Sequence, residues 1–200
     1  SSAAPTVAGV IALILDANET LSWRDVKRIL ADTSIQVDQS RSKIYNDVTQ
    51  YSWITNAAGY KHHNWYGFGK IDAAASVAAA KTYSTSLGNF VETGLVSGST
   101  GSWTNNQCEI GNNCFVNAAV SAPASSNGKI EFIQVRVGLT MSDPEHLGLV
   151  LESPDGTKVT ILTPFSKVRN NPLANEFVIG VITFYGENMA GTWKLRITDY

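Results

Sequence analysis

With 200 residues, 44% of them hydrophobic and 16% charged, the chain holds enough apolar material for a buried core in one or two domains. A net charge of -2, with lysine and arginine scattered along the sequence, excludes an electrostatic nucleic-acid footprint and an anionic-membrane patch. No apolar run approaches the roughly 20 residues that a membrane span needs; the longest, Val7 to Leu15, carries Gly9 and ends at Asp16.

The chain opens without Met, as SSAAPTVAGV, and passes at once into a helical pattern. Two origins fit that opening: a beginning that has been cut away, or a processed N-terminus whose free α-amine does chemistry. Val7, Val10, Ile11, Ile14 and Leu15 recur at helix spacing, and Ala3, Ala4, Ala8 and Ala12 fill the other positions. A helix so apolar on most sides is expected to be buried nearly all round. Pro5 suits its first turn, where backbone amides have no intrahelical acceptor. A second helix is predicted after Ser22, its N-cap, with Asp25 closing a capping box and Val26, Ile29 and Leu30 facing inward. Residues 37–66 read as irregular and polar, with Trp53, Trp65 and several tyrosines. In YGFGKIDAAASVAAAK, Gly67 and Gly69 signal tight backbone, and Asp72 is the predicted N-cap of an alanine-rich helix running to about Lys81.

From about residue 84 the pattern changes. TYSTSLGNFVETG reads as a linker and a first strand. CFVNAAVSA, KIEFIQVRVGLTM, LGLVLES, TKVTILTPF, EFVIGVITFYG and GTWKLRITD read as strands, separated by SSNG, SPDG, RNNP and GENMAG. Strands at this spacing predict an antiparallel sandwich or jelly roll. In SPDGT, Pro154 presets φ and Gly156 is free to take a positive one. The helical piece has too little sequence of its own to surround its first helix. That mismatch points to the sheet of a larger α/β domain as the absent partner.

Several residues are candidates for chemistry. Cys108 and Cys114, six positions apart around Gly111, fit a small disulfide loop and thus an oxidising compartment; the alternative is a pair of free thiols. Without a nearby histidine they make a poor zinc site. His62 and His63 are potential bases, but a structural role is the stronger reading. His146 sits beside Asp143 and Glu145, where a polar surface loop is the default over a metal site. Glu152 and Asp155 add hard oxygens, yet the four carboxylates lack an EF-hand spacing. Trp23, Trp53, Trp65, Trp103 and Trp193 are assigned to core or inter-domain packing, with a carbohydrate platform as the alternative.

Ser1-Ser2-Ala3-Ala4-Pro5-Thr6-Val7-Ala8-Gly9 resembles the nucleophile motif of subtilisin-like serine proteases, Gly-Thr-Ser-x-Ala-Ala-Pro-x-Val-Ala-Gly, with Gly-Thr absent. The alignment puts Ser1 at the nucleophile and Ser2 at the variable position. LSWRDVKRIL and WITNAAGYKHHNWYGFGKIDAAASVAAAK are similar to the end of the catalytic domain in the kexin and furin branch. HLGLVLESPDGTKVTIL and GTWKLRITD resemble the β jelly-roll P domain that follows it there. The resemblance covers essentially the whole chain in family order. Two departures stand out: Glu145-His146-Leu147 occupies the place of a common Gly-Asp-Leu, and the chain ends at Tyr200 where a further strand usually follows. Both termini therefore read as truncated.

The resemblance implies an α/β subtilase fragment, the C-terminal helices of the catalytic domain, over residues 1–84 and an all-β jelly-roll P domain over residues 85–200. It implies a serine endopeptidase acting through an acyl-enzyme on Ser1, whose backbone N–H also donates to the oxyanion, with a preference for basic residues before the cleavage site. The triad His and Asp, the further oxyanion residue and most specificity pockets belong upstream in this family. The expected partners are accordingly a protein or peptide substrate and the upstream part of the same catalytic domain. Calcium is implied as a cofactor, mainly through upstream residues, and the setting is secreted or periplasmic. Two other readings compete: a non-catalytic β-sandwich binding or stabilising module carrying a protease remnant, and a hydrolase using its own N-terminal amine as base. A helix running straight from residue 3 fits the last one badly.

Overall fold

A computed structural model describes residues 1–45, 48–98, 114–124, 127–139, 144–165 and 176–200, with the side chains of 43–50 and Pro144 left aside. Three helices precede residue 82: α1 (Ala3–Ala17), α2 (Trp23–Thr33) and α3 (Ala73–Lys81). Between α2 and α3 lie four short strands, β1 (Lys43–Tyr45), β2 (Val48–Tyr51), β3 (Ile54–Thr55) and β4 (Lys61–His62). They pair as two antiparallel hairpins, β1 with β2 and β3 with β4. The stretch expected to be irregular is thus partly ordered by turns that its polar composition hid.

The helix signals read from sequence are present as local geometry. Ser22 and Asp25 form a reciprocal capping box at the start of α2. The Asp72 carboxylate accepts from the Ala75 N–H at the start of α3. Helices α1, α2 and α3 share one cluster in which Val10, Ile14, Val26, Ile29 and Ala80 are buried. At the end of α1, the Asn18 side-chain amide donates to the Ala80 carbonyl at 3.0 Å, tying α1 to α3.

Burial of α1 departs from the sequence expectation. Only Val10 and Ile14 are buried along it, whereas Leu13 stays 53% exposed. The reason is geometric: α2 and α3 cover one stripe of α1, and no described element covers the others.

Past α3, residues 82–98 form no strand, so the first strand expected after the linker is not there. The β-rich half comprises β5 (Cys114–Val120), β6 (Ile133–Val137), β7 (Leu147–Glu152), β8 (Lys158–Leu162), β9 (Phe177–Val181) and β10 (Gly191–Asp199), with a 3-10 turn at Pro144–His146. Each coincides with a run read as a strand from its alternation. A four-stranded antiparallel sheet has the order β5-β10-β7-β8, and β6 pairs with β9. Their facing sides supply the core. Cys114, Val137, Leu147, Leu149 and Ile197 fill one end. Ile130, Leu151, Val159, Val181, Phe184 and Trp193 fill the other. Trp193 stands nearly perpendicular to Phe184, and its indole N–H donates to the Met189 carbonyl at 2.9 Å.

Gly156 in the SPDGT turn takes φ 89° and donates to the Ser153 carbonyl, as its turn chemistry requires. Gly69 is more constrained. At φ 128°, a Cβ there would lie 2.4 Å from the Ile35 carbonyl oxygen. Ile35 and Lys70 exchange two backbone hydrogen bonds at this crossing.

Candidate functional site

Ser1 is exposed and stands one residue before Ser2, the N-cap of α1. Ser2 already has helical dihedrals and makes no side-chain cap. Its carbonyl instead accepts from the Thr6 hydroxyl at 2.9 Å and from the Thr6 N–H at 3.4 Å. The first turn of α1 thus presents uncapped amides, the positive end of the helix dipole, beside Ser1. Ala3, Ala4 and Pro5 keep that turn free of bulky side chains, and all three are exposed. The arrangement suits a hydroxyl whose reaction builds negative charge at a helix start.

The two histidines do not join Ser1. His63 is fully buried; its Nδ1 accepts from the Trp65 N–H at 3.0 Å, and its Nε2 lies 3.4 Å from the Arg41 carbonyl. His62 is buried, with Nδ1 3.1 Å from the Thr183 hydroxyl and the ring edge-on to Phe68. Desolvation, and secondarily the His63 charge, depress the His62 pKa to about 4. His63 is therefore part of the packing within the helical half, and His62 part of the packing between the helical and β-rich halves.

That packing contains polar residues which sequence reasoning missed. The Asn56 amide, buried at the start of the β3–β4 turn, donates to the Thr183 and Tyr185 carbonyls at 2.8 and 2.9 Å. Its Oδ1 accepts from the Ala58 and Tyr60 amides, so one side chain closes its own turn and grips the opposite half. Glu187, 1% exposed, accepts from the Ala57 N–H at 2.9 Å and the Thr157 hydroxyl at 2.5 Å. Tyr60 and Tyr185 meet edge to face, and the Tyr60 hydroxyl donates to Asp32 at 2.7 Å.

A second junction centres on Arg24 in α2. Its Nε donates to both Glu131 carboxylate oxygens, at 2.9 and 3.1 Å, and Nη2 pairs with Oε1. Nη1 and Nη2 also reach the Gly88 and Leu87 carbonyls. Trp23 packs edge-on against Phe90 of the same connecting segment. The only advance signal was the Trp-Arg-Asp sequence at the helix start; nothing marked Glu131 as its partner.

Of the remaining candidates, Cys114 is disulfide-bonded and Cys108 lies outside the described residues. Asp143 and Trp103 lie outside them as well. His146 packs edge-on against Phe165. Asp155 accepts from the backbone and side-chain amides of Asn188 at 3.3 and 3.5 Å. Trp193 is core, and the Trp53 N–H donates to the Val37 carbonyl. Trp23 and Trp65 are packed on one side only, being 58% and 46% exposed: Trp23 lies against Phe90 and Lys27, and Trp65 against Tyr51, His63, Tyr66 and Arg41. Among the described residues, no three or more His, Cys, Asp or Glu side chains are grouped to hold a metal, and no helix is long and apolar enough to cross a membrane.

Comparison with known proteins bears on both halves. Residues 1–69 match the model of the subtilase family, and residues 130–200 match the proprotein convertase P-domain. The whole chain aligns at 30% identity with a PC3-like endoprotease of Hydra vulgaris, at 32% with Furin-1 of Xenopus laevis, and at 29% with human proprotein convertase subtilisin/kexin type 7. It spans 26%, 24% and 24% of their respective lengths, about a quarter of each relative. Among solved structures, the serine protease of Aeromonas sobria, crystallised in complex with a chaperone, matches with a TM-score of 0.80 at 26% identity. That match covers 98% of this chain and 36% of the other. A second structure of a serine protease of Aeromonas sobria gives a TM-score of 0.76 at 25% identity over the same shares. Residues 1–69 thus belong to the subtilase family and residues 130–200 to the proprotein convertase P-domain family, joined in one chain in the order found in the proprotein convertases it resembles.

Proposed function

We propose that the protein containing this chain is a serine endopeptidase in which Ser1 attacks the scissile peptide carbonyl. The observation that carries this reading is the position of Ser1 immediately before the uncapped first turn of α1, in the sequence register of the matched subtilase region. A serine hydroxyl is a poor nucleophile at neutral pH until a base removes its proton. None of the hydrogen bonds of His62 or His63 reaches Ser1, so a His base and its orienting Asp come from elsewhere in the parent protein. The attack forms a tetrahedral intermediate whose oxyanion takes the Ser1 backbone N–H. Collapse expels the amine and leaves an acyl-serine, which water then hydrolyses.

In this reading residues 1–84 complete a catalytic domain, and the exposed apolar stripes of α1 pack against its sheet. Residues 85–200 form a jelly-roll P domain that braces the helices through Asn56, Glu187 and Arg24. Preference for basic residues, calcium held by upstream residues, and a secreted or periplasmic setting follow from the likeness to proprotein convertases.

The test is the full reading frame with Ser1 intact and with Ser1→Ala, assayed on a dibasic peptide and labelled with a fluorophosphonate. Loss of activity by about 10⁴-fold or more, together with loss of label, supports the proposal. Equal activity in both forms overturns it. A parent that is inactive and unlabelled favours the non-catalytic module.

A further inference from the structure

We propose that the outer face of the four-stranded sheet carries a binding pocket for the carboxylate of an acidic peptide. β10 runs through the middle of this sheet, turning Trp193, Leu195 and Ile197 inward and Lys194 and Arg196 to the opposite face. The strand register then builds two rows across that face. In one, Asn117, Lys194, Glu152 and Lys158 are successive cross-strand neighbours. In the other, Phe115, Arg196 and Val150 are. Phe115, Val150, Glu152, Lys158, Lys194 and Arg196 together line a pocket of about 210 Å³.

The charges of this pocket do not balance. Three cations face one carboxylate. Glu152 is shared by Lys158 and Lys194 at 3.7 Å each, separations that contribute little for exposed lysines. Arg196 has no carboxylate at all among the described residues. It sits between an aromatic ring and a valine, and its Nε is buried without an acceptor. With Nε closed off from solvent, a ligand in the pocket meets the terminal amino groups of the guanidinium, which are not buried in this way. A planar carboxylate fits the guanidinium fork by two parallel hydrogen bonds, with the Lys194 ammonium beside it.

Two features favour one carboxylate on a peptide over a polyanion. Phe115, 38% exposed beside the guanidinium, offers an apolar surface to the residue next to the bound acid. Glu152 lies in the pocket wall and repels dense negative charge, so phosphate and sulfated saccharides meet an opposing charge that a single carboxylate can avoid by binding at the Arg196 side.

The test uses the full chain and a fluorescent Gly-Glu-Phe-Glu-Gly peptide, read by anisotropy, against its Gln-for-Glu analogue, inorganic phosphate and a heparin oligosaccharide. The Glu peptide is expected to bind about tenfold or more tightly than its Gln analogue, and to weaken as salt rises. Arg196→Gln should cost about tenfold, and Arg196→Lys should recover only part of that, since the fork is lost while the charge remains. Glu152→Gln should tighten binding severalfold, a gain that a purely structural role would not give. If Arg196→Gln fails to fold, Lys194→Gln and Glu152→Gln carry the test, the first weakening and the second strengthening binding. Equal binding of the two peptides, indifference to Glu152→Gln, or an Arg196-dependent preference for the oligosaccharide or phosphate would overturn the proposal.

Discussion

His62 shows how one buried ring gives a stability a pH dependence. Its pKa falls from 6.5 to about 4 because the charged ring has no water at this junction. Above pH 6.5 folded and unfolded forms are both neutral there, and no penalty exists. Between pH 6.5 and 4 the unfolded chain binds the proton that the folded chain refuses, so stability drops as pH falls, by up to about 3 kcal/mol. Urea midpoints at pH 7.5 and 5 should separate more for the native chain than for His62→Asn, which keeps a group for the Thr183 hydroxyl but cannot charge. Identical pH slopes would refute this. Gly69 is the complementary case, a residue required for what it lacks. Gly69→Ala brings a methyl 2.4 Å from the Ile35 carbonyl at a positive φ and should cost at least about 2 kcal/mol in chemical denaturation. A loss under about 0.5 kcal/mol would show that the Ile35–Lys70 crossing yields easily.

Among the elements, α2 carries both legible and illegible information. Its cap was written in sequence because Ser22 and Asp25 satisfy amides three residues away, a purely local requirement. Its join to Glu131, 107 residues downstream, left no trace, because an exposed-looking arginine is compatible with any acidic partner. The six strands were legible for the same local reason, since alternation records two faces. The β1–β2 and β3–β4 hairpins were not, since their strands span only 2 to 4 residues and show no period. At the candidate site, Ser1 and the small residues after it were legible as a motif, while the Asn56 and Glu187 grip was not, being made across the fold. A double-mutant cycle on Arg24→Ala and Glu131→Ala should return a coupling of about 1–3 kcal/mol, as expected for a bidentate pair whose side chains are 13% and 16% exposed. Strict additivity would assign Arg24 to its carbonyl bonds at Leu87 and Gly88 alone.

For the molecule as a whole, the junction between helical and β-rich halves is polar at its centre and aromatic around it. Asn56→Ala removes the donor for two buried carbonyls and should destabilise by about 2–4 kcal/mol. Because the grip spans both halves, the loss should appear equally in a helix probe such as far-ultraviolet circular dichroism and in the fluorescence of a variant that keeps Trp193 as its one tryptophan. Separate transitions would mean that each half melts alone.

Asn56 finds its partners 127 and 129 positions further along, and Ala57 waits for Glu187, 130 positions on. On the ribosome, where chain leaves the tunnel from its amino end, the β3–β4 turn emerges long before anything exists to hold it. At about 5–20 residues per second the helices spend roughly 6 to 26 seconds with that turn unsupported. A chaperone with access to this face of the nascent chain would have its window then, and a translational pause before residue 187 would widen it.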